Sequence, residues 1–229
     1  MISIEGDFDS QNRVEFSECR FNQRFLNTSG FVVGASGNAA VNAGGVGVRV
    51  LINTGGVLSI TNGGLTLTNS AALVVSNGGV FTASGTLMVG AGSGNGTTDK
   101  VGIVTNKSGI ISVAGVRISP NNGNANSRVV INGGTNDLGD IVIQRSNLTT
   151  WAVPGAEGLL IYGGLVRFTS LDVGGTGADA TATLLVANGA VTNNGAFTIR
   201  QKTAARPSRF MQTGGYFVST NNGGLHFRG

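Results

Sequence analysis

The stretch LVVSNGGVF, residues 73 to 81, sets the pattern of this chain because related stretches recur along the sequence. Each copy, called here the first anchor, has an apolar triplet, a polar residue or two, and a glycine pair or its remnant. The further copies are VVINGGT (129 to 135), LLIYGGLV (159 to 166), LLVANGAV (184 to 191) and FMQTGGYF (210 to 217). A degenerate copy, VGIVTNKSGII, is aligned with Val101 level with Leu73. Successive copies begin about 28 residues apart, a period typical of solenoid proteins.

A second apolar triplet, the second anchor, follows each copy at a steady distance. Its members are LMV (87 to 89), VRI (116 to 118), IVI (141 to 143), LDV (171 to 173), FTI (197 to 199) and LHF (225 to 227). Their outer residues are apolar and their middle residues vary, which is the alternation of a strand with one buried and one solvated face. Polar, turn-rich inserts separate each second anchor from the next first anchor.

Composition supports a folded all-β chain. The sequence has 39 glycines in 229 residues, 40% apolar residues, 11% charged residues and a net charge of +4. Collagen needs glycine at every third position, and disordered chains need low hydrophobicity, so both classes are excluded. We predict a single-stranded β-solenoid, a parallel β-helix with coils of about 28 residues that hydrogen-bond to the coils on either side. Residues 1–49 are predicted to form an N-terminal cap and entry coils, and residues 50–229 the solenoid repeats.

Asparagines next to the glycines are suited to the turns of such a coil. Asparagine and glycine tolerate positive φ, and stacked side-chain amides can hydrogen-bond along the solenoid axis. The predicted turn ladder comprises Asn62, Asn77, Asn132, Asn188 and Asn222.

The recurring φφφ-x-N-G-G motif followed by a φ-x-φ strand, over residues 50 to 229, resembles the repeats of bacterial autotransporter passenger regions, particularly the autotransporter-associated β-strand repeat. The resemblance implies a right-handed β-helix exported to the bacterial surface or beyond, as a stalk, adhesin or matrix component. The first residues lack the apolar run of a signal peptide. The chain is therefore either cytoplasmic or a fragment of a longer polypeptide, and we favour the fragment. At the C-terminal coil we expect either further repeats in the native polypeptide or stacking on another chain, so the isolated chain should self-associate through that coil.

Enzymatic β-helices gather carboxylates from several coils on one outer face. Alignment of the second anchors places Asp137 beside Arg167 and then Asn193. It also places Asp140 beside Ser170, and Asp172 beside Val142. The carboxylates do not stack, and we predict no catalytic residue.

No cofactor or metal site is predicted either. The chain contains one cysteine, Cys19, and one histidine, His226, too few for a Cys/His zinc site. The segment GGTGADATA (174 to 182) matches a calcium-binding nonapeptide only in part and has no tandem copy. We interpret it as an ordinary surface loop.

Two features are candidate contacts for a surface glycan or a polyanion. Trp151 lies in the longest insert, where it either stacks on a sugar or folds back onto apolar surface. The second feature is a basic segment, interpreted either as an anion contact or as a solvated loop, with Arg200, Lys202, Arg206 and Arg209. It contains no interleaved aromatic residue for base stacking, so no nucleic acid partner is predicted. No apolar run is long enough for a transmembrane helix.

These observations favour a non-enzymatic extracellular or cell-surface scaffold, adhesin-like, whose inserts contact a surface glycan or matrix polymer. The alternative is a carbohydrate-binding or polysaccharide-cleaving β-helix of the pectin-lyase type, with the inserts forming its groove. One further pattern concerns the outward residues of the first anchor, which form an apolar stripe that either the inserts or a neighbouring molecule covers. The stripe is predicted to comprise Val74, Gly102, Val130, Leu160, Leu185 and Met211.

Overall fold

The structure is a computed structural model, and it describes part of the chain. The described ranges are 2–3, 18–21, 24–27, 31–33, 49–54, 56–60, 63–67, 71–90, 101–118, 127–144, 158–174, 182–200, 208–220 and 225–228. Side chains are described within these ranges from residue 49 to residue 220.

The described residues are all-β, with parallel strands and no helix, which confirms the predicted fold class. None of them therefore forms a helix long and apolar enough to cross a bilayer. The strands are β1 (Ile2–Ser3), β2 (Glu18–Phe21), β3 (Arg24–Asn27), β4 (Phe31–Val33), β5 (Arg49–Ile52), β6 (Val57–Ile60), β7 (Leu65–Leu67), β8 (Ala71–Val75), β9 (Val80–Val89), β10 (Gly102–Asn106), β11 (Ile110–Ile118), β12 (Arg128–Ile131), β13 (Thr135–Asp137), β14 (Asp140–Ile143), β15 (Gly158–Ile161), β16 (Leu165–Phe168), β17 (Ser170–Val173), β18 (Thr183–Val186), β19 (Ala190–Asn193), β20 (Phe197–Arg200), β21 (Arg209–Gln212), β22 (Tyr216–Ser219) and β23 (Leu225–Arg228).

The strands form two parallel sheets that run the length of the solenoid. Sheet A has nine strands in the order β1-β2-β5-β8-β10-β12-β15-β18-β21. Sheet B has fourteen strands and receives the rest of each coil, either as one long strand, as in β9 and β11, or as two short ones, as in β13 and β14. Each coil therefore crosses sheet A once, turns at the glycine pair, and returns through sheet B. The short strand directly after the glycine pair is an element that the two-anchor prediction did not separate.

The register confirms the second anchor throughout. Leu87 pairs with Val116, Val116 with Ile141 and so on to Leu225. The first anchor needs one correction, because Val104 and not Val101 lies level with Leu73. The strand β10 ends on a buried asparagine, Asn106, at a position where the two neighbouring coils place Val75 and Ile131. The apolar pattern alone therefore misplaced this coil by three residues.

Inward side chains stack in apolar columns that form the core. The central column of sheet A is completely buried from Val50 to Leu184, and the second-anchor residues of sheet B face it. At the end of these columns, Phe210 and Phe217 are only partly buried and pack against the core. Phe210 meets the buried Phe197 edge-on, with 5.3 Å between the ring centroids. One contiguous core thus runs through every coil with described side chains.

The N-terminal residues join the same stack. Strands β2, β3 and β4 pair in parallel with β5, β6 and β7, so their backbone follows the path of a coil. The predicted domain boundary between residues 49 and 50 stays a prediction.

The corners between the two sheets require glycine for two separate reasons. Gly134 and Gly78 both have a φ of 76°, in the left-handed region where a Cβ atom is strained. At Gly134 a Cβ would in addition overlap the carbonyl oxygen of Gly109 in the preceding coil, whereas at Gly78 it would meet open space. Glycine at position 134 therefore permits both the turn and the close approach of adjacent coils.

Alanine substitutions at Gly78 and Gly134 can be compared to measure the energetic cost of a Cβ atom that contacts the neighbouring coil. Gly78→Ala should lower the free energy of unfolding by about 1–2 kcal/mol, the usual cost of a left-handed alanine. Gly134→Ala adds a backbone overlap to the same dihedral cost and should lose about 4 kcal/mol or more. Urea denaturation followed by circular dichroism measures both values. Equal losses in the two variants would show that contact between coils does not constrain this corner.

Candidate functional site

The outward side of sheet B, called here the polar face, carries the three carboxylates whose side chains are described. They are Asp137 on β13, Asp140 on β14 and Asp172 on β17. The alternating burial of these strands turns the flanking residues inward and the aspartates outward. The polar face is therefore where acid–base or ligand chemistry would have to occur in this part of the chain.

Asp137 lies level with Arg167 as predicted, and the two side chains form an ion pair. The Oδ1 atom is 3.8 Å from Nη1, and both side chains are about half exposed, at 48% and 52%. A pair in this setting contributes about 0–1 kcal/mol. The next residue in the column is Thr192, not the predicted Asn193, because Asn193 points inward and is buried.

Asp140 lies level with Ser170, as predicted, and accepts a hydrogen bond of 2.7 Å from the Ser170 hydroxyl. The Arg117 guanidinium donates a 2.8 Å bond to the main-chain carbonyl of Asp140. The serine therefore engages the exposed carboxylate of Asp140, and the arginine engages its main chain.

Asp172 lies level with Val142, as predicted, but it also has a partner that the comparison of coils in the sequence did not predict. Nε of Arg200 donates to both carboxylate oxygens of Asp172 at 2.9 Å. The side chain of Asp172 is 20% exposed and that of Arg200 is 31% exposed. Arg200 is two residues beyond Thr198, which is the residue level with Asp172. The pair is diagonal between coils, and comparing only residues at the same level could not reveal it.

The predicted basic contact set is divided between the two sheets. Arg200 ends β20 of sheet B, where Asp172 neutralises it, and Arg209 begins β21 of sheet A, level with Thr183. Trp151, Lys202 and Arg206 lie outside the described residues. Of the five predicted contacts, the structure therefore describes two, and these two belong to different sheets.

The polar face offers paired charges rather than a ligand cage. Among the residues that the structure describes, no three His, Cys, Asp or Glu side chains are grouped to hold a metal ion. Asp140 and Asp172 lie one coil apart and two residues apart along the strand direction. Their Cα atoms are therefore about 8 Å from each other. Each carboxylate is already engaged, one by serine and the other by arginine.

The predicted asparagine turn ladder is described at three positions, since Asn62 and Asn222 lie outside the described residues. The Asn77 amide donates to Oδ1 of Asn53 at 2.8 Å, one coil earlier. Oδ1 of Asn188 accepts from the N–H of the adjacent Gly189 at 2.8 Å. Asn132 is exposed at the equivalent turn. Along-axis amide pairing is therefore seen at Asn77, with a partner other than those predicted.

A second amide pair lies inside the core, where the sequence patterns gave no signal for it. Asn106 and Asn136 are completely buried, and Nδ2 of Asn106 donates to Oδ1 of Asn136 at 2.7 Å. Asn106 also bonds both main-chain polar groups of Gly109, and Asn136 donates to the carbonyls of Gly133 and Leu165. Both amides are fully satisfied, so they brace the turn from within.

The outward side of sheet A contrasts with the polar face because it is apolar. The predicted stripe is the column of outward side chains on this sheet. It contains Thr105 in place of the predicted Gly102, because the register of β10 was corrected. Leu160 in this column is only 2% exposed although it is not part of the core cluster. The column comprises Leu51, Val74, Thr105, Val130, Leu160, Leu185 and Met211.

Comparison with known proteins assigns this chain to no family. No protein family model, no curated protein and no solved structure matches the chain.

Replacing Asn106 tests whether the buried amide pair braces the turn. Asn106→Ala leaves Oδ1 of Asn136 and the N–H of Gly109 without their partner, and should lower the free energy of unfolding by about 3 kcal/mol. Asn132→Ala, at an exposed turn position, is the control and should change it by less than about 0.5 kcal/mol. Urea denaturation measures both, and a similar small effect in both variants would contradict this role of Asn106.

Proposed function

We propose that this chain is a non-enzymatic scaffold of the bacterial surface or extracellular space, of the kind that autotransporter passenger regions provide. The observation that carries the proposal is the uninterrupted parallel stack, in which each coil is hydrogen-bonded to its neighbours and shares one core with them. The resemblance of the repeats to autotransporter repeats supports the extracellular setting. In this proposal, the inserts contact a surface glycan or matrix polymer.

A stack of this kind suits a spacer. Its length grows by about 4.8 Å per coil, and bending it would break main-chain hydrogen bonds and open the apolar columns. The described carboxylates of the polar face support a structural role as well, since their charged or polar partners connect one coil to the next.

The spacer role can be tested with the chain placed between a membrane anchor and a fluorescent reporter on a supported bilayer. The coils from β5 to β21 should hold the reporter about 30 Å farther from the bilayer than the anchor alone, with a narrow distribution of distances. A glycine–serine linker of equal residue number is the control and should give a broad distribution. Energy transfer to a bilayer dye measures the distances. A broad distribution for the solenoid would contradict the proposal.

One observation favours the carbohydrate-active alternative. Asp140 and Asp172 lie on the same face of adjacent coils with about 8 Å between their Cα atoms, and glycosidases use a pair of neighbouring carboxylates. Release of reducing ends or unsaturated sugars from neutral or acidic polysaccharides, lost in Asp140→Asn and in Asp172→Asn, would establish this alternative. We expect no release, because Arg200 occupies both oxygens of Asp172.

We propose in addition that the last described coil is an end-on contact surface for a second copy of this chain. Phe210 and Phe217 continue columns in which Leu184 and Val191 are 0% exposed, yet both phenylalanines are only partly buried. Strands β21, β22 and β23 lie at the edges of their sheets. A two-fold stacking of two such coils would bury the aromatic side chains and pair the main-chain groups of both edges.

A proline substitution can block this edge selectively. Arg209 and Thr213 donate their N–H groups to the preceding coil, so the alternation of a parallel strand turns the N–H of Gln212 toward the free edge. Gln212→Pro should therefore abolish the concentration-dependent association of the chain, while Gln212→Ala retains it. Sedimentation velocity measures both. Association of the proline variant equal to the wild type, or a wild-type chain that is monomeric at every concentration, would overturn this contact.

A further inference from the structure

Asn-Gly dipeptides occupy equivalent turns of several coils, and two of them are described in enough detail to compare. They are Asn77-Gly78 and Asn188-Gly189, and both asparagines are exposed. In such a dipeptide the glycine nitrogen can attack the asparagine side chain, so the contacts of these two groups decide how readily the attack occurs. The two turns differ in both contacts.

At Asn188 the attacking nitrogen of Gly189 is already hydrogen-bonded to the side chain that it would attack. The N–H of Gly189 donates to Oδ1 of Asn188 at 2.8 Å. Because the carbonyl bond is about 1.23 Å long, the Gly189 nitrogen lies no more than about 4 Å from Cγ of Asn188. Reactive conformers place the reacting atoms about 3–3.5 Å apart, so only a small side-chain rotation separates this turn from attack. The hydrogen bond also polarises the carbonyl group that would be attacked.

At Asn77 the same two groups are held away from each other. The N–H of Gly78 donates to the carbonyl of Ser108 in the next coil at 3.3 Å. The Asn77 side chain is anchored by its Nδ2 atom to Oδ1 of Asn53 at 2.8 Å. Attack at this turn therefore requires both hydrogen bonds to break first.

We propose that Asn188 is a site of spontaneous deamidation in the folded protein, and that Asn77 is protected. The deprotonated nitrogen of Gly189 bonds to Cγ of Asn188, the Cγ–Nδ2 bond breaks, and Nδ2 leaves as ammonia, which closes a succinimide ring. Water then opens the ring at either carbonyl group and leaves an aspartate or an isoaspartate at position 188. The net change consumes one water molecule and releases one ammonia.

The neighbouring coils leave little space around this turn, so the modification should destabilise it. A Cβ at Gly189 would lie 2.7 Å from the carbonyl oxygen of Gly164, and one at Gly215 would lie 2.7 Å from the main-chain carbon of Asn188. The turn is thus enclosed by backbone on both sides along the axis. Isoaspartate adds one methylene to the main chain, for which this corner has no space, and the new carboxylate adds a negative charge. Modification at position 188 therefore loosens this coil as the protein ages.

Peptide mapping by mass spectrometry tests the proposal on the full chain incubated in mildly alkaline buffer. In the folded protein, Asn188 should lose its amide roughly tenfold faster than Asn77, a factor that corresponds to about 1.4 kcal/mol. In denaturant the two rates should become similar, because the local sequence is Asn-Gly in both cases. Equal rates in the folded protein, or the same rate ratio in both states, would overturn the proposal.

Two variants separate the contacts from other properties of the turns. Asn53→Ala removes the acceptor that anchors Asn77 and should raise the deamidation rate at Asn77 severalfold while the rate at Asn188 stays unchanged. Asn188→Gln keeps an amide at the turn but should suppress the modification there, and the free energy of unfolding should then fall more slowly during incubation than in the wild type. An unchanged rate at Asn77 in Asn53→Ala would refute the protective role of the anchor.

Discussion

Main-chain hydrogen bonds between parallel strands hold successive coils about 4.8 Å apart, and the other features of the chain adapt to that distance. Along the strands, side chains point away from the neighbouring coils, so residues of any size are compatible with the distance between coils. At the corners the backbone itself faces the next coil, and at Gly134 even a methyl group would overlap a carbonyl oxygen. The glycine pairs of the repeat are thus a consequence of the stacking distance as well as of the turn.

The same spacing explains how polar groups enter the core. Asn106 and Asn136 occupy inward positions of adjacent coils, close enough for one amide to donate to the other. Their remaining hydrogen bonds go to the main chain of the corner, at Gly109 and Gly133, and to the first residue of β16, Leu165. On the polar face, Asp172 and Arg200 also connect neighbouring coils. Polar residues in this fold therefore act mainly between coils, where the stacking brings them together.

Much of the fold could be predicted because alternation and repetition are direct consequences of stacked strands. The second anchor was aligned correctly in every coil, and with it the level of Asp140 and Ser170. The register of β10 was wrong because a buried asparagine does not look like a core residue in sequence. The partner of Asp172 was missed because side-chain reach allows diagonal pairs, which a level-by-level alignment ignores.

The long connections all occur at one corner of the coil, between the end of a sheet B strand and the beginning of the next sheet A strand. Examples are the segments between Val89 and Gly102 and between Ile143 and Gly158. Strand register is the same on either side of these connections, whatever their length. We therefore expect insertions and deletions at this corner to be tolerated more readily than those within the strands. In evolutionary terms, one edge of the solenoid is free to diversify, and foreign peptides could be grafted there without redesign of the stack.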